Sequence, residues 1–503
     1  MTDRRREEVL IRIEQAGGLT TGVSNDVHVG TGVPEADVYG VATFYSLLKH
    51  PNEVRVCQGL SCHLAGSGEK IDAMSASDTP FLAAACLGRC DEAPASWDPQ
   101  GENSLPEVHL TAASDDLSIN LDGVDSLSYT GLTAARDNGA DWVIDELEVS
   151  GVTGRGGAGF PAHIKWRGVA SQSVTERYVV LNADEGEPGT FKDREVILKR
   201  PHLVVEGLAI AAHTLEAHDI YCYVRGEFGA VRDTLKAAVE EATAAGLLDD
   251  DVAWHFVDGH GAYICGEETA LLESLEGRRG MPRMKPPFPV QAGFRGAPTL
   301  IQNVETIATI PAILTRVGTW FRELGRTEPG TKLYCVSGHV QRPGVYEAPM
   351  GISMAELLDM ASGVTGTLKA FSPGGASSGF LPASMINVAL DFGSLQKVGS
   401  MLGSAGCVVL NATVDMVEAA LIQAVFFEDE SCGQCAPCRI GTQLVRQALE
   451  RFRRGDPDAL EHIDDIAWGM QEGSICGLGQ AAALPLLSAM KYFPDEFQSR
   501  VLS

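Results

Sequence analysis

Cysteine spacing constrains this chain more than any other feature, because thiols set at fixed offsets have to converge in the fold. Of twelve cysteines, Cys57-x4-Cys62 and Cys86-x3-Cys90 lie near the N-terminus. Cys432-x2-Cys435-x2-Cys438 and the later Cys476 lie near the C-terminus. In SCGQCAPCR, three thiolates spaced by two residues can wrap one face of a cubane, and a distant fourth closes it. Glycines on both sides of Cys476, in GSICGLG, let the backbone approach inorganic sulfide, so this set reads as a [4Fe–4S] site. The N-terminal pairs suit a [2Fe–2S] centre with two ligands per iron. Zinc is the rival at both places, and plain redox thiols at the first; zinc sites more often pair two CxxC knuckles than this 3+1 layout. His63 beside Cys62 reads as a loop residue, since four cysteines already complete that site. Cys222, Cys265, Cys335 and Cys407 stand alone beside apolar residues and read as buried thiols.

Size and charge narrow the class. At 503 residues the chain exceeds what one core sustains, so three or four domains are expected. No apolar run approaches the roughly 20 residues that cross a bilayer. Val414–Phe427 is interrupted by Asp415, Glu418 and Gln423. The start, MTDRRREEVLIRIEQ, has no apolar segment after its basic residues and does not read as a secretory signal. A cytoplasmic protein is expected, with any membrane association made through a partner. The 39 basic against 67 acidic residues give a charge of −28, which argues against a nucleic-acid binder. Twelve cysteines in such a chain point to metal or redox chemistry rather than disulfides.

Periodicity divides the chain into regions. After a charged helical opening, short strands at Val54–Val56 and Phe81–Ala85 each run into a cysteine pair, suiting a small α/β domain with a cluster at one end. A less patterned acidic stretch follows. Buried-strand runs at Tyr178–Leu181, Ile220–Val224 and Trp254–Val257 alternate with helical segments at Val204–Leu215, Ala230–Ala245 and Glu267–Leu275. That alternation predicts a parallel sheet with helices on its faces. KLYCVSGHVQRPGVYEAPMG gives two strands around a Pro343–Gly344 turn, and with a helix at Ser353–Ala361 suggests a β-grasp-like module. The tail carries helical stripes at Val417, Leu421, Ala424, Val425 and at Leu444, Ala448, Leu449, Phe452. A helix start is expected at Asp456–Pro457 and a last helix at Ala481–Met490. This region reads as a helical bundle with its cysteines in loops.

Between the cysteine sets lies GRGGAGFPAHIKW, a formal GxGxxG through Gly154, Gly156 and Gly159. Alone it is a weak signal, and a tight surface turn is the plain alternative. A dense glycine loop does expose backbone N–H groups to phosphate, and Lys165 would add positive charge. NADEGEPGTFKDR packs Asp184, Glu185 and Glu187 together, and GAYICGEETALLESLEG sets Glu267 and Glu268 after Gly266. Acids at a helix start usually serve as caps. Gathered at a phosphate loop, they would repel a dinucleotide unless they contact its sugars and carboxamide. MPRMKPPFP, with Lys285 and Phe288, and PTLIQNVET complete the set.

In that order these stretches resemble the flavoprotein (NADH-binding) subunit of complex I-type NADH dehydrogenases. Its relatives include the diaphorase subunits of NAD-linked hydrogenases and of molybdenum or tungsten formate dehydrogenases. The resemblance runs from about Gly151 to Gly479. GVPEADVYGVATFYSLL, the first cysteine pairs and DEAP resemble the small thioredoxin-like [2Fe–2S] subunit of the same systems. The resemblance implies an α/β multidomain fusion. Its parts are a thioredoxin-like [2Fe–2S] domain (1–110), a linker (111–145), a Rossmann-like FMN- and NADH-binding domain (146–320), an SLBB β-grasp module (330–405) and a [4Fe–4S] helical bundle (410–503). It implies an FMN site lined by Gly154, Gly156, Lys165, Asn182, Asp184, Tyr263, Gly266, Glu267, Ile301, Gln302, Asn303 and Thr306. NADH would be held by Phe160, Glu187, Glu268, Lys285 and Phe288, with Glu187 and Glu268 the acids at the reaction centre. Gln302 stands where asparagine is usual, which keeps an amide but lengthens it.

The implied activity is that of a diaphorase: a hydride passes from NADH to FMN, and single electrons pass to the clusters. The fused layout, with no ferredoxin-like tail after Cys476, suits the β subunit of an NAD-dependent formate dehydrogenase, ahead of a hydrogenase diaphorase or a complex I input module. The large catalytic partner is a choice by analogy, since no residue here touches formate or hydrogen. An electron relay or scaffold without nucleotide turnover is the non-enzyme alternative. The acidic and Lys285–Phe288 motifs disfavour the relay, and two full cysteine sets disfavour the scaffold.

Overall fold

The computed structural model describes residues 4–77, 80–101, 103–105, 107–114 and 116–498. The chain divides into two units. The first comprises the residues up to Asn52, Ser114–Glu185 and Lys192–Lys332; the second comprises Glu53–Ala113, Gly186–Phe191 and the residues from Leu333 onward.

The first unit is built on a parallel sheet whose strands lie in the order Ala253–Asp258, Asp219–Val224, Tyr178–Ala183, Thr299–Asn303. Val179, Val180, Leu181, Ile220, Cys222 and Val224 are fully buried, as strands covered on both faces require. Helices follow the expected segments, at Pro201–Leu215, Gly229–Ala244 and Glu268–Leu275. The fourth strand, Thr299–Asn303, was not foreseen: five residues with a polar end give no clear period. It pairs with the far side of Tyr178–Ala183 and so reverses the strand order there. In parallel sheets such a reversal opens a crevice outside the carboxyl ends of the strands, where ligands bind.

Helix Val304–Arg316 leaves that strand and crosses Pro201–Leu215 at Gly207. A Cβ on Gly207 would lie 2.3 Å from the Ile307 carbonyl oxygen and 2.7 Å from Ile307 Cγ2. Gly207→Ala is expected to push the helices apart and to cost about 1–3 kcal/mol, the usual range for overpacking. A thermal midpoint equal to that of the parent would contradict this.

Two stretches differ from expectation. The acidic stretch read as a linker holds helices Thr130–Asn138 and Ala140–Ser150. Leu132 N–H donates to the buried Glu206 carboxylate at 3.0 Å, and Tyr129 meets His202 Nδ1 at 3.1 Å. These polar anchors are long-range, so local periodicity did not reveal them. The N-terminal helices Glu7–Gln15, Val23–Thr31, Glu35–Ala42 and Ser46–Lys49 also belong to the first unit. Arg295 grips Glu7 with two bonds of 3.0 and 2.6 Å, and the Tyr45 hydroxyl donates to Arg278 O at 2.6 Å.

The second unit carries a three-stranded sheet, Phe81–Ala84, Val54–Cys57, Ser96–Trp97, parallel and then antiparallel. A second sheet orders Leu381–Pro382, Leu368–Ser372, Gly406–Asn411, Thr331–Gly338, Gly344–Pro349 and His109–Ala112. Helix Met354–Met360 begins with a capping box between Ser353 and Glu356. Tyr334, Tyr346, Phe371, Leu390 and Leu402 fill the core of this module.

Helices Met416–Asp429, Ala436–Arg453, Ile463–Gly473 and Leu484–Tyr492 make the C-terminal bundle. Asp456–Pro457 does not start a helix. The Asp456 carboxylate is taken by Arg451 at 2.5 Å and by Asp458 N–H at 3.2 Å, and turns run on to Ile463. The last expected helix is split: Gly477–Ala481 precedes Leu484–Tyr492, whose first turn holds Pro485. Leu444 is exposed, and Val445 takes its place in the buried stripe. Among the described residues no helix is long and apolar enough to cross a membrane.

Candidate functional site

In the first unit, Asn182 and Asn303 are register partners at the carboxyl ends of the two strands flanking the reversal. Both side chains are tied down. Asn182 Nδ2 donates to Gly266 O at 2.8 Å, and its Oδ1 accepts from Asp184 N–H at 3.2 Å. Asn303 caps the helix Val304–Arg316 through Glu305 N–H and Thr306 N–H, and donates to Asp193 Oδ2 at 2.6 Å. Thr306 Oγ1 in turn accepts from Arg155 N–H at 2.9 Å.

That last bond fixes the glycine loop. Its neck is closed by a bridge between Thr153 and Pro161 and by Gly154 N–H donating to Phe160 O at 2.8 Å. Gly159 has φ +63°, which favours glycine, and a Cβ on Gly156 would lie 3.1 Å from Asn303 Cβ. The glycine loop and the Asn303–Thr306 turn, read separately in the sequence, are therefore neighbours in the fold.

A line of alternating charge crosses the same region. Lys165 Nζ meets Glu268 at 2.8 Å; Lys285 Nζ meets both Glu268 and Glu267 at 2.9 Å. Glu267 also caps helix Glu268–Leu275, accepting from Thr269 N–H and Ala270 N–H. Burial alone would raise the Glu268 carboxyl, but the Lys165 and Lys285 ammoniums outweigh it and hold it below its ordinary value. Phe160 and Phe288 keep about half their surface exposed (45% and 50%), leaving ring faces available for stacking. Ile301 and Gln302 are buried on the fourth strand. Gln302 Nε2 is a buried donor with no protein partner, which fits a ligand acceptor at this place. Tyr263 and Gly266 form the turn before Glu267. Glu187 lies in the second unit, where its carboxylate accepts from Ser377 N–H at 2.9 Å.

Sequence reasoning missed the buried charges beneath the crevice. Lys192 pairs with Asp193 at 2.7 Å and with Glu305 at 2.8 Å, and Lys332 joins Glu305 at 3.2 Å. Glu185 accepts from Asp193 N–H and Arg194 N–H. Burial, then the Asp193 carboxylate, push Glu185 up to about 7; burial brings Lys332 down to about 8. The run TFKDREVI was the available signal: four consecutive charged residues within a segment that is wholly buried.

In the second unit both cysteine sets converge. Cys57, Cys62, Cys86 and Cys90 are all buried. The Cys57 thiol is pushed well up by its hydrogen bond with Cys62, and it also bonds Cys86; Cys90 is raised first by Cys86. Three backbone N–H groups point at these sulfurs: Gly88 at Cys86 (3.3 Å), Ala95 at Cys62 (3.4 Å) and Gly189 at Cys90 (3.3 Å). Donors of this kind stabilise thiolate and sulfide charge. At the other set, burial pushes Cys438 up to about 12, with further contributions from Cys435, Cys476 and Cys432. Cys435 and Cys476 stand at the N-caps of Ala436–Arg453 and Gly477–Ala481. Among the described residues no group of three or more His, Cys, Asp or Glu is arranged to hold a single metal ion. Gln58, beside Cys57, donates to Asp429 at 3.1 Å, linking the cysteine sheet to the bundle within this unit.

Known proteins match along nearly the whole chain. The Nuo51 FMN-binding domain family matches residues 147–312, and the NADH-ubiquinone oxidoreductase-F iron–sulfur binding region matches 400–500. An SLBB domain matches 333–381, and the thioredoxin-like [2Fe–2S] ferredoxin family matches 8–98. The F-type NADH-quinone oxidoreductase chain of Rickettsia typhi is 44% identical over 382 residues, 73% of this chain and 91% of the relative. The mitochondrial NADH dehydrogenase [ubiquinone] flavoprotein 1 of Dictyostelium discoideum is 43% identical over 384 residues, 73% and 80%. A chain of the H2-reduced NAD+-reducing [NiFe]-hydrogenase superposes with a TM-score of 0.90 at 29% identity, covering 99% of this chain and 94% of that one. The chain belongs to the family of NADH-binding flavoprotein subunits of complex I-type enzymes. It carries an FMN-binding domain, an SLBB domain and a [4Fe–4S] region, joined to a thioredoxin-like [2Fe–2S] domain.

Proposed function

We propose that the chain is the NADH:acceptor oxidoreductase (diaphorase) subunit of a larger complex. FMN would be seated at the paired ends of Tyr178–Ala183 and Thr299–Asn303. The observation that carries this reading is the pairing of Asn182 with Asn303 at the strand-order reversal, beside the closed glycine loop. FMN, when bound, takes a hydride from NADH and gives electrons up singly, as iron–sulfur clusters require. The chain's own residues supply orientation and charge. Gly154 and Gly156 keep the loop backbone close; Lys165 and the Gln302 amide offer positive charge and a donor. Asn182, Asp184, Tyr263, Gly266, Glu267, Ile301, Asn303 and Thr306 shape the rest of the flavin site.

For NADH, Phe160 and Phe288 offer ring faces, and Glu268, ionised between two ammoniums, accepts from the nucleotide's hydroxyl or amide groups. Lys285 and Glu187 complete the proposed NADH contacts. Cys57, Cys62, Cys86 and Cys90 are proposed as [2Fe–2S] ligands, and Cys432, Cys435, Cys438 and Cys476 as [4Fe–4S] ligands. Glu268→Gln is expected to raise the KM for NADH roughly tenfold, the effect of losing one charge-assisted hydrogen bond. Both cluster signals should remain. An unchanged KM refutes the role given to Glu268.

The partner belongs to this proposal too: the large molybdenum or tungsten subunit of a formate dehydrogenase, in the cytoplasm. A hydrogenase partner is the second reading, supported by the end-to-end likeness to the hydrogenase chain. Anaerobic purification tests both levels. Flavin absorbance bleached by NADH supports the diaphorase; colourless protein ends it. The metal of the co-purifying large subunit, molybdenum or tungsten against nickel, decides the partner.

A further inference from the structure

Ser474 precedes Cys476 by two residues and is 6% exposed. Its backbone is fully used: the N–H donates to Met470 O at 3.1 Å, and the carbonyl accepts from Gln480 Nε2 at 3.0 Å. Its hydroxyl, buried, has no partner in the protein. A buried hydroxyl left unsatisfied is destabilising, so an acceptor from outside the polypeptide is called for.

The surroundings say which acceptor. A Cβ on Gly479 would lie 2.4 Å from Ser474 Oγ and 2.8 Å from Cys438 Cβ. The hydroxyl and Cys438 therefore border one small space, which the glycine leaves open. Cys438 already receives one hydroxyl there, since Ser431 Oγ stands 3.3 Å from its sulfur. No carbonyl takes the Ser474 proton, and the acceptors native to this corner are sulfurs.

We propose that the Ser474 hydroxyl donates a hydrogen bond to a sulfur of the [4Fe–4S] centre, either a cysteine thiolate or an inorganic sulfide, and thereby sets the centre's potential. This rests on the assignment of Cys432, Cys435, Cys438 and Cys476 as its ligands. Reduction adds one negative charge, spread largely over the sulfurs. A donor aimed at them stabilises the reduced form more than the oxidised form and raises the potential. Ser474 is thus a positioning and tuning residue: it acts on the cluster and makes no contact with NADH.

The test is a redox titration of the [4Fe–4S] EPR signal in the full chain, purified anaerobically as wild type, Ser474→Ala and Ser474→Thr. Expected are equal cluster content, a more negative midpoint for the alanine variant and a wild-type midpoint for threonine, which keeps the hydroxyl. An alanine variant with a filled cluster and an unshifted midpoint overturns the inference while leaving the ligand assignment intact. A wild-type protein with no [4Fe–4S] signal overturns the assignment itself. Should the alanine variant not assemble the cluster, Ser431→Ala in D2O decides. With the other hydroxyl removed, electron–nuclear double resonance should still find a hydroxyl deuteron coupled to the cluster, and its absence ends the proposal.

Discussion

Glu305→Gln is expected to destabilise the first unit by about 3–5 kcal/mol near pH 6, the range for stranding a buried charge. Glu305 is 1% exposed and is shared by the Lys192 and Lys332 ammoniums. Burial would raise its carboxyl, but Lys192, Lys332 and Arg155 together hold it below the ordinary value, so it is ionised at neutral pH. Glutamine keeps the shape and removes the charge. The sign of the pH dependence follows from Lys332, whose value of about 8 lies below the ordinary 10.5. Removing Glu305 lowers it further. The loss is therefore largest between about pH 5 and 7, where the ammonium is still charged, and shrinks as the pH rises through 8 and Lys332 turns neutral in both proteins. Urea unfolding at pH 6 and pH 8.5 reads this directly; equal stability at pH 6 would show that the carboxylate is dispensable. Because Glu305 sits in the first turn of the helix capped by Asn303, flavin content should fall alongside.

Cys438→Ser is expected to remove the [4Fe–4S] signal and about four irons per chain, while NADH still bleaches the flavin. Cys438 lies in the first turn of Ala436–Arg453, 4% exposed, close to Cys432, Cys435 and Cys476. A serine oxygen there is a poor, hard substitute for a soft thiolate. Iron analysis and EPR at low temperature check the outcome. Retention of the full signal would remove Cys438 from the ligand set.

The two cysteine sets were readable because their spacing is itself the chemistry, and the fold closes each of them. The parallel sheet was readable from three long apolar runs. The site's other half was not. Thr299–Asn303 is short and partly polar, and only its pairing with Tyr178–Ala183 makes it a strand and creates the crevice. Likewise Glu267, Asn303 and Thr306 look in sequence like ligand contacts, and each also holds a cap or a loop in place.

Sequence alone thus determined the types of redox centre, the glycine loop, and the alternation that gives a parallel sheet. Those depend on residues near one another along the chain, where spacing and period carry the information. Tertiary structure decided where the sheet reverses and which charges are buried together. It also decided that the Ser474 hydroxyl is left without a protein partner beside Cys438. Those depend on desolvation and on contacts between distant segments, for which a linear pattern has no signal.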